Sequence, residues 1–222
     1  MIKNDYHHGN LKDDFLNIAF EFIKDDEIEN LTLKILSDKT GTSRSAIYRH
    51  FRNKDELVEI MITKGFDDFD KHLSPILLNK NISLIDRFYQ SGKELINFAV
   101  ENPNLYRLLF GKKYSYIREQ LVSIQDENCS GFSALKEAIE EGQLNGIIKK
   151  DESYFQTIVV WASLHGLASL IIDDFMDIKN MYEKLYDNMF KSLLMGMIAN
   201  KVKLISSIPF INNLFLLPKN NS

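Results

Sequence analysis

Between Leu11 and Lys203 the apolar residues return at every third or fourth position, and no stretch settles into the strict alternation of a half-buried strand. That spacing predicts an all-α chain. Leu11, Phe15, Ile18, Ala19 and Phe22 mark a first helix over about 10–24. Thr32 caps a short second helix with Ile35 and Leu36 on its inner face. It ends near Gly41, the residue type best suited to a left-handed turn. Ser43 caps another short helix through about Phe51. Asn53, with Glu56 three residues on, opens a long helix to about His72. Pro75 and Asn79-Lys80-Asn81 are expected to break the chain, and Ser83 restarts a helix to about Glu101. Asn102-Pro103 begins the next, which ends at Gly111 and Lys112-Lys113. Helices over about 114–142 (kinked near Gly131), 151–176 and 181–203 complete the set.

The expected organisation is a three-helix unit over 1–52, a larger helical regulatory and dimerisation bundle over 53–203, and an apolar tail over 204–222. Composition narrows the class. With 4 Pro and 10 Gly in 222 residues the chain is not linker-rich, and with 1 Cys (Cys129) it has no disulfide framework or Cys-based zinc cluster. Residues 1–14 contain no apolar run of the kind a secretory signal needs, so a cytoplasmic location is expected. Val202–Leu217 is the one membrane-like stretch. Lys203, Ser206, Ser207, Pro209, Asn212 and Asn213 interrupt it, and it falls short of the roughly 20 apolar residues of a spanning helix, so no membrane partner is expected. The net charge of −4 gives no sign of nucleic acid, but its distribution does. From Thr32 to Lys54 stand Lys34, Lys39, Arg44, Arg49, Arg52 and Lys54 against Asp38 alone.

This basic island coincides with two short helices joined by a Gly-containing turn and packed on a third, the helix-turn-helix arrangement. Such a unit must bury one face of its second short helix and offer the other to the major groove. Ala46, Ile47 and Phe51 form the inner side, which leaves Arg44, Ser45, Tyr48, Arg49 and Arg52 outside. Arg44, in the first turn, can pair with guanine O6 and N7. The Tyr48 hydroxyl, the Thr32 hydroxyl and the amines of Lys34 and Lys54 suit phosphate oxygens. A basic helix face can also be merely solvated, Ser43 and Asn53 can be simple caps, and His50 can simply pack.

The stretch Thr32, Leu36, Gly41, Ser43, Ile47, Tyr48, His50, Phe51, Asn53, Lys54 and Leu57 resembles the DNA-binding domain of TetR-family repressors. Three further motifs resemble the TetR subgroup whose C-terminal domain carries a Trp-His-Gly signature. These are Tyr6-His7-His8-Gly9-Asn10-Leu11, Asn104–Gly111, and Trp161 with His165-Gly166. The resemblance covers about residues 6–200. It implies a homodimeric transcriptional regulator, usually a repressor, that binds a palindromic operator in double-stranded DNA and answers to a small-molecule effector. It places Arg44, Ser45, Tyr48, Arg49 and His50 toward DNA, with Ser43 at the same surface and Thr32, Lys34 and Lys54 on phosphates. Ser45 and Arg49 stand where the family varies its operator choice.

Other constellations admit two readings. Trp161 and His165 share a helix face and can form, with Tyr106 and Phe110, a ligand pocket, or can pack against a neighbouring helix or a second subunit. His7-His8 lacks the further ligands of a metal site, and neither metal nor cofactor is expected. Asp173, Asp174 and Asp177 near a helix end read as solvated. Ser163 and His165 are two apart, do not face each other, and lack a nucleophile turn, so no enzyme is expected. An all-helical enzyme and a helical protein-interaction module without DNA binding are the competing functions. Residues 158–172 are apolar all round, which predicts burial on more than one side. With the stripe Tyr182, Leu185, Met189, Leu193, Leu194 and Met197, they point to a four-helix interface across a two-fold axis. In the tail, a short docked helix near 210–217 is expected.

Overall fold

A computed structural model of the chain describes residues 11–124, 130–175 and 178–199. The His7-His8 pair, Cys129, Asp177 and the expected tail helix lie outside the described residues. Among those described the chain forms ten helices: α1 (Leu11–Lys24), α2 (Leu33–Lys39), α3 (Arg44–Ile47), α4 (Lys54–Leu77), α5 (Leu84–Glu101), α6 (Pro103–Phe110), α7 (Ser115–Ile124), α8 (Ser130–Leu144), α9 (Ser153–Ile172) and α10 (Tyr182–Met197). The one extended pairing among them is an antiparallel bridge between Ile148 and Ile198. The all-α class read from the apolar spacing is the observed one.

Packing divides the chain into two units, each built from two segments: Met1–Asp68 with Asn102–Asp126, and Phe69–Glu101 with Glu127–Ser222. In the first, Phe15, Leu31, Leu36, Ile47, Phe51, Leu57 and Met61 have no solvent exposure and form the core beneath the short helices. The α6 helix joins this unit. Asn104 Nδ2 donates to the carbonyl of Lys24 at the end of α1 at 3.0 Å. Phe110 meets Phe66 edge-on at 5.5 Å, and Tyr106 is buried beside Phe110. The α7 helix satisfies the end of α6, because the Arg118 guanidinium donates to the carbonyls of Leu108 and Gly111.

In the second unit α9 packs on α5, α8 and α10. Leu77, Leu84, Leu135, Ala138, Ile139 and Ile148 form its dry centre. At the edge of that centre the buried Arg87 guanidinium donates to the Leu77 carbonyl at 3.0 Å and pairs with Glu141. The guanidinium's hydrogen bonds are the main reason the Glu141 carboxyl is held below the usual carboxylate range. Asp70 reaches across to accept the Gly131 N–H at 2.8 Å in the first turn of α8, where helix N–H groups lack internal partners.

Several boundaries differ from the expected ones. The α3 helix is a single α turn, extended by tighter bonds in which Arg49 N–H reaches Ala46 O and His50 N–H reaches Ile47 O. The α4 helix runs through Pro75 to Leu77. Pro75 is exposed and stands in the last turn, so its missing N–H removes one bond at a solvated end and does not break the core of the helix. The 114–142 stretch is described as α7 and α8. The α9 helix stops at Ile172, where Asp174 takes a left-handed conformation at φ 51°. The α10 helix stops at Met197 because the chain turns extended and pairs with the α8–α9 connection, Lys149 N–H to Met197 O at 2.8 Å and Ala199 N–H to Ile147 O at 2.9 Å. Among the described residues α9 is long and apolar enough to cross a membrane by length and composition, and the 202–217 stretch lies outside them.

Candidate nucleic-acid interface

The α2–turn–α3 segment is assembled by local chemistry. Thr32 is extended and its hydroxyl accepts the Ile35 N–H at 3.2 Å, capping α2. Gly41 follows α2 at φ +66°, a backbone conformation that costs glycine nothing and an L side chain strain. Thr40 anchors the turn by donating to the Leu36 carbonyl at 2.8 Å. Ser43 repeats the cap on α3, accepting the Ala46 N–H at 3.2 Å while sharing a hydrogen bond with Ser45 at 2.9 Å. Ile47 and Phe51 then point into the core with no exposure, which turns the opposite side of α3 outward.

On that outer side Arg44, Ser45, Tyr48 and Arg49 are all exposed, as are Thr32, Lys34 and Ser43. Tyr48 keeps 59% of its surface in solvent. His50 is placed differently. It is half-buried, with its ring 5.8 Å from Phe15 and 6.4 Å from Phe51, so it wedges α3 against α1.

At the start of α4, Asn53 accepts the Glu56 N–H at 2.9 Å, and Glu56 reaches back to the Arg52 N–H at 2.6 Å and its guanidinium at 3.1 Å. This is a reciprocal cap moved one residue outward from the usual box. The Arg52 N–H is the main reason the Glu56 carboxyl is held low. Lys54 has a second task that its spacing did not reveal. Its ammonium donates to the carbonyls of Ile28 at 2.8 Å and Glu29 at 2.9 Å, tying the α1–α2 connection to α4. Partial burial pushes its pKa down, against the pull of Asp55.

The residues expected around a ligand are distributed between the two units. Tyr106 and Phe110 belong to the first, where burial pushes the Tyr106 phenol far up. Trp161 and His165 belong to the second, their rings 4.5 Å apart on α9 and tilted by 57°, with Trp161 edge-on to Phe69 and Phe132. Burial brings the His165 pKa down to about 4, so its ring is neutral near pH 7. A cavity in the second unit, whose lining includes Ser91, Leu164 and Tyr186, is lined by none of these four residues. Among the described residues no group of three or more His, Cys, Asp and Glu side chains is arranged to hold a metal.

A capped α2, a glycine turn and a capped α3 with a basic outer face define a helix-turn-helix unit of the DNA-binding class. The family profile "Bacterial regulatory proteins, tetR family" matches residues 15–61, and "Tetracyclin repressor-like, C-terminal domain" matches residues 88–193. The chain belongs to the TetR family of bacterial transcription regulators. Among solved structures, a protein with unknown function from Rhodococcus sp. RHA1 superposes with a TM-score of 0.72 at 19% identity, covering 89% of this chain and 100% of that one. A TetR family transcription regulator from Marinobacter aquaeolei VT8 gives 0.65 at 13% identity, over 86% and 96%. Among curated proteins, the nucleoid occlusion factor SlmA of Aliivibrio fischeri (strain MJ11) is 29% identical over 115 residues, 51% of this chain. The match spans 58% of that relative's length.

Proposed function

We propose that this chain is a sequence-specific DNA-binding transcriptional regulator, a repressor that binds a palindromic operator as a homodimer and leaves it when a small-molecule effector binds. The outer face of α3 carries this reading. Residues 1–52 hold the DNA-reading unit, and residues 53–203 serve regulation and dimerisation. Arg44 reads a guanine edge in the major groove, and Ser45 and Arg49 tune the neighbouring positions. Tyr48, Thr32, Lys34 and Ser43 serve phosphates, and His50 sets the pitch of α3 from behind. Lys54 spends two of its three hydrogens on carbonyls and keeps the third for a phosphate. The reading places the protein in the cytoplasm and assigns it no catalysis. Family membership favours it over a helical partner-binding module.

The partner for a dimer is a second copy of α9. Phe155, Val159, Ala162, Gly166 and Leu170 form one solvent-facing stripe of that helix, with Phe155 64% and Val159 54% exposed. A side chain added at Gly166 would touch nothing within 4 Å, so the close approach a glycine permits is not used inside one protomer. A two-fold axis beside this stripe would bury it against its own copy.

Gel-shift titration with the DNA upstream of the protein's own gene tests the reading. Binding should be specific over unrelated duplex and should weaken steeply with salt. Equal affinity for both DNAs at every salt concentration would overturn it.

A further inference from the structure

Arg52 stands at the elbow between α3 and α4, directly after the fully buried Phe51, with 82% of its side chain in solvent. An exposed arginine ordinarily samples many rotamers, but this one is tied down. Its backbone N–H and its Nε both donate to Glu56 Oε2, at 2.6 and 3.1 Å. Glu56 is fixed in turn, because its own N–H donates to Asn53 at 2.9 Å. So exposed a pair contributes little to stability. Its effect is to set the direction of the guanidinium. With Nε engaged, the terminal nitrogens keep all their hydrogens, a fork that suits phosphate oxygens, and they take no further partner among the described residues. Helix geometry decides which way this fork lies. Lys54 and Glu56 are two positions apart in the first turn of α4, so they leave the helix on opposite sides. Lys54 turns to the Ile28 and Glu29 carbonyls, ahead of α2 and its Thr32 cap. Glu56 turns to the start of α1. The Arg52 N–H is the chief reason its carboxyl is held low, and Lys12 in the first turn of α1 adds to it. The 14 residues of α1, about 20 Å of helix, separate these two places.

We propose that Arg52, aimed by Glu56, grips a backbone phosphate on the rim of the major groove opposite the rim met by Thr32, Lys34 and Lys54, with Lys12 adding charge beside it. The assignment rests on the regulator reading. A helix seated in a groove about 12 Å wide meets phosphates on both sides, and without Arg52 the α1 side would lack a fixed contact. Glu56 is a positioning residue that does not itself touch DNA. It spares Arg52 much of the rotamer freedom that a loose arginine loses on binding. Held at both rims, α3 cannot rock about its own axis, and Arg44 keeps one register on the base edges.

Fluorescence anisotropy of the full chain with two labelled duplexes of equal length, one from upstream of its own gene and one unrelated, gives affinity across a salt series. Arg52→Ala should flatten the slope of log Kd against log salt by about one unit per half-site on both duplexes. Its melting temperature should change little, because the backbone N–H keeps its bond to Glu56. Arg52→Lys should keep the slope and recover only part of the affinity, since an ammonium lacks the fork. Glu56→Gln removes a negative charge, yet it should lower the preference for the upstream duplex over the unrelated one. Single methylphosphonates along the upstream duplex locate the contact: Arg52→Ala and Lys54→Ala should become indifferent to neutral phosphates at different positions. An unchanged salt slope in Arg52→Ala, an unchanged or higher upstream preference in Glu56→Gln, or one shared phosphate for Arg52 and Lys54 would each overturn the proposal. Equal affinity of the natural sequence for both duplexes would remove the regulator reading instead, while the salt slope on the unrelated duplex would still test Arg52.

Discussion

At the residue scale, two side chains carry consequences that reach beyond their neighbours. Arg44 is exposed at the first turn of α3, so Arg44→Ala should cost about 1–3 kcal/mol of operator binding and relax base preference at one position. Lys54→Ala should behave differently. It should flatten the salt slope by about one unit, as a lost phosphate contact does. It should also lower the melting temperature, because the Ile28 and Glu29 carbonyls lose their donor. Salt titration and thermal unfolding of the same variant separate the two roles. His165 sets a pH dependence. Its ordinary pKa of 6.5 applies in the unfolded chain, whereas in the folded chain burial brings it to about 4. Below pH 6.5 the unfolded state takes up a proton that the folded state refuses, so stability declines as pH falls from 6.5 toward 4 and is unaffected above. The span corresponds to about 3 kcal/mol. Urea unfolding at a series of pH values should show this decline, and His165→Gln should remove most of it.

At the element scale, the seam between α5 and α10 is set by one missing side chain. A Cβ on Gly92 would stand 2.5 Å from the Tyr186 hydroxyl and 3.2 Å from Leu164. Tyr186 takes the room Gly92 leaves, and its hydroxyl donates to the Tyr89 carbonyl, while the Tyr89 hydroxyl donates to Asp187 at 2.9 Å. Burial and this carboxylate push the Tyr89 phenol up to about 12. Gly92→Ala should destabilise the fold by about 1–3 kcal/mol through overpacking. In combination with Tyr186→Phe, which removes the colliding oxygen, the loss should be smaller than the sum of the two single losses. Denaturant midpoints of the four proteins in the cycle measure this. Strict additivity would mean that the seam tolerates the methyl group elsewhere.

At the scale of the whole molecule, α9 is the element that asks for a second chain. It is apolar around its full circumference, yet one protomer buries chiefly Thr157, Leu164, Ala168 and Ile171. Leu170 keeps 43% of its surface exposed. Leu170→Glu would set two carboxylates close to a two-fold axis and leave each desolvated. Sedimentation velocity should show a dimer for the natural sequence and a monomer or insoluble material for the variant. A folded, stable monomer of the natural sequence at micromolar concentration would remove α9 as the interface.

Much of this was determined locally and could be read from residues alone. The helical class follows from apolar spacing, and the helix-turn-helix from two hydroxyl caps, a left-handed glycine and a basic outer face. These depend on neighbours three or four positions away, which a sequence displays directly. Spacing shows which side of a helix is apolar but not what that side meets, and the tertiary structure decided the rest. It grouped α6 and Tyr106 with the first unit, whereas chain order had set them in the bundle. It gave Arg118 to the end of α6 and Asp70 to the start of α8, caps supplied from 10 and 61 residues away. It gave the Lys54 amine carbonyl partners from the loop before α2. It carried α4 past Pro75, because a proline in an exposed last turn interrupts little. The cavity beside Ser91 and Tyr186 is likewise a product of packing, since its walls come from four helices and no single stretch of sequence contains them.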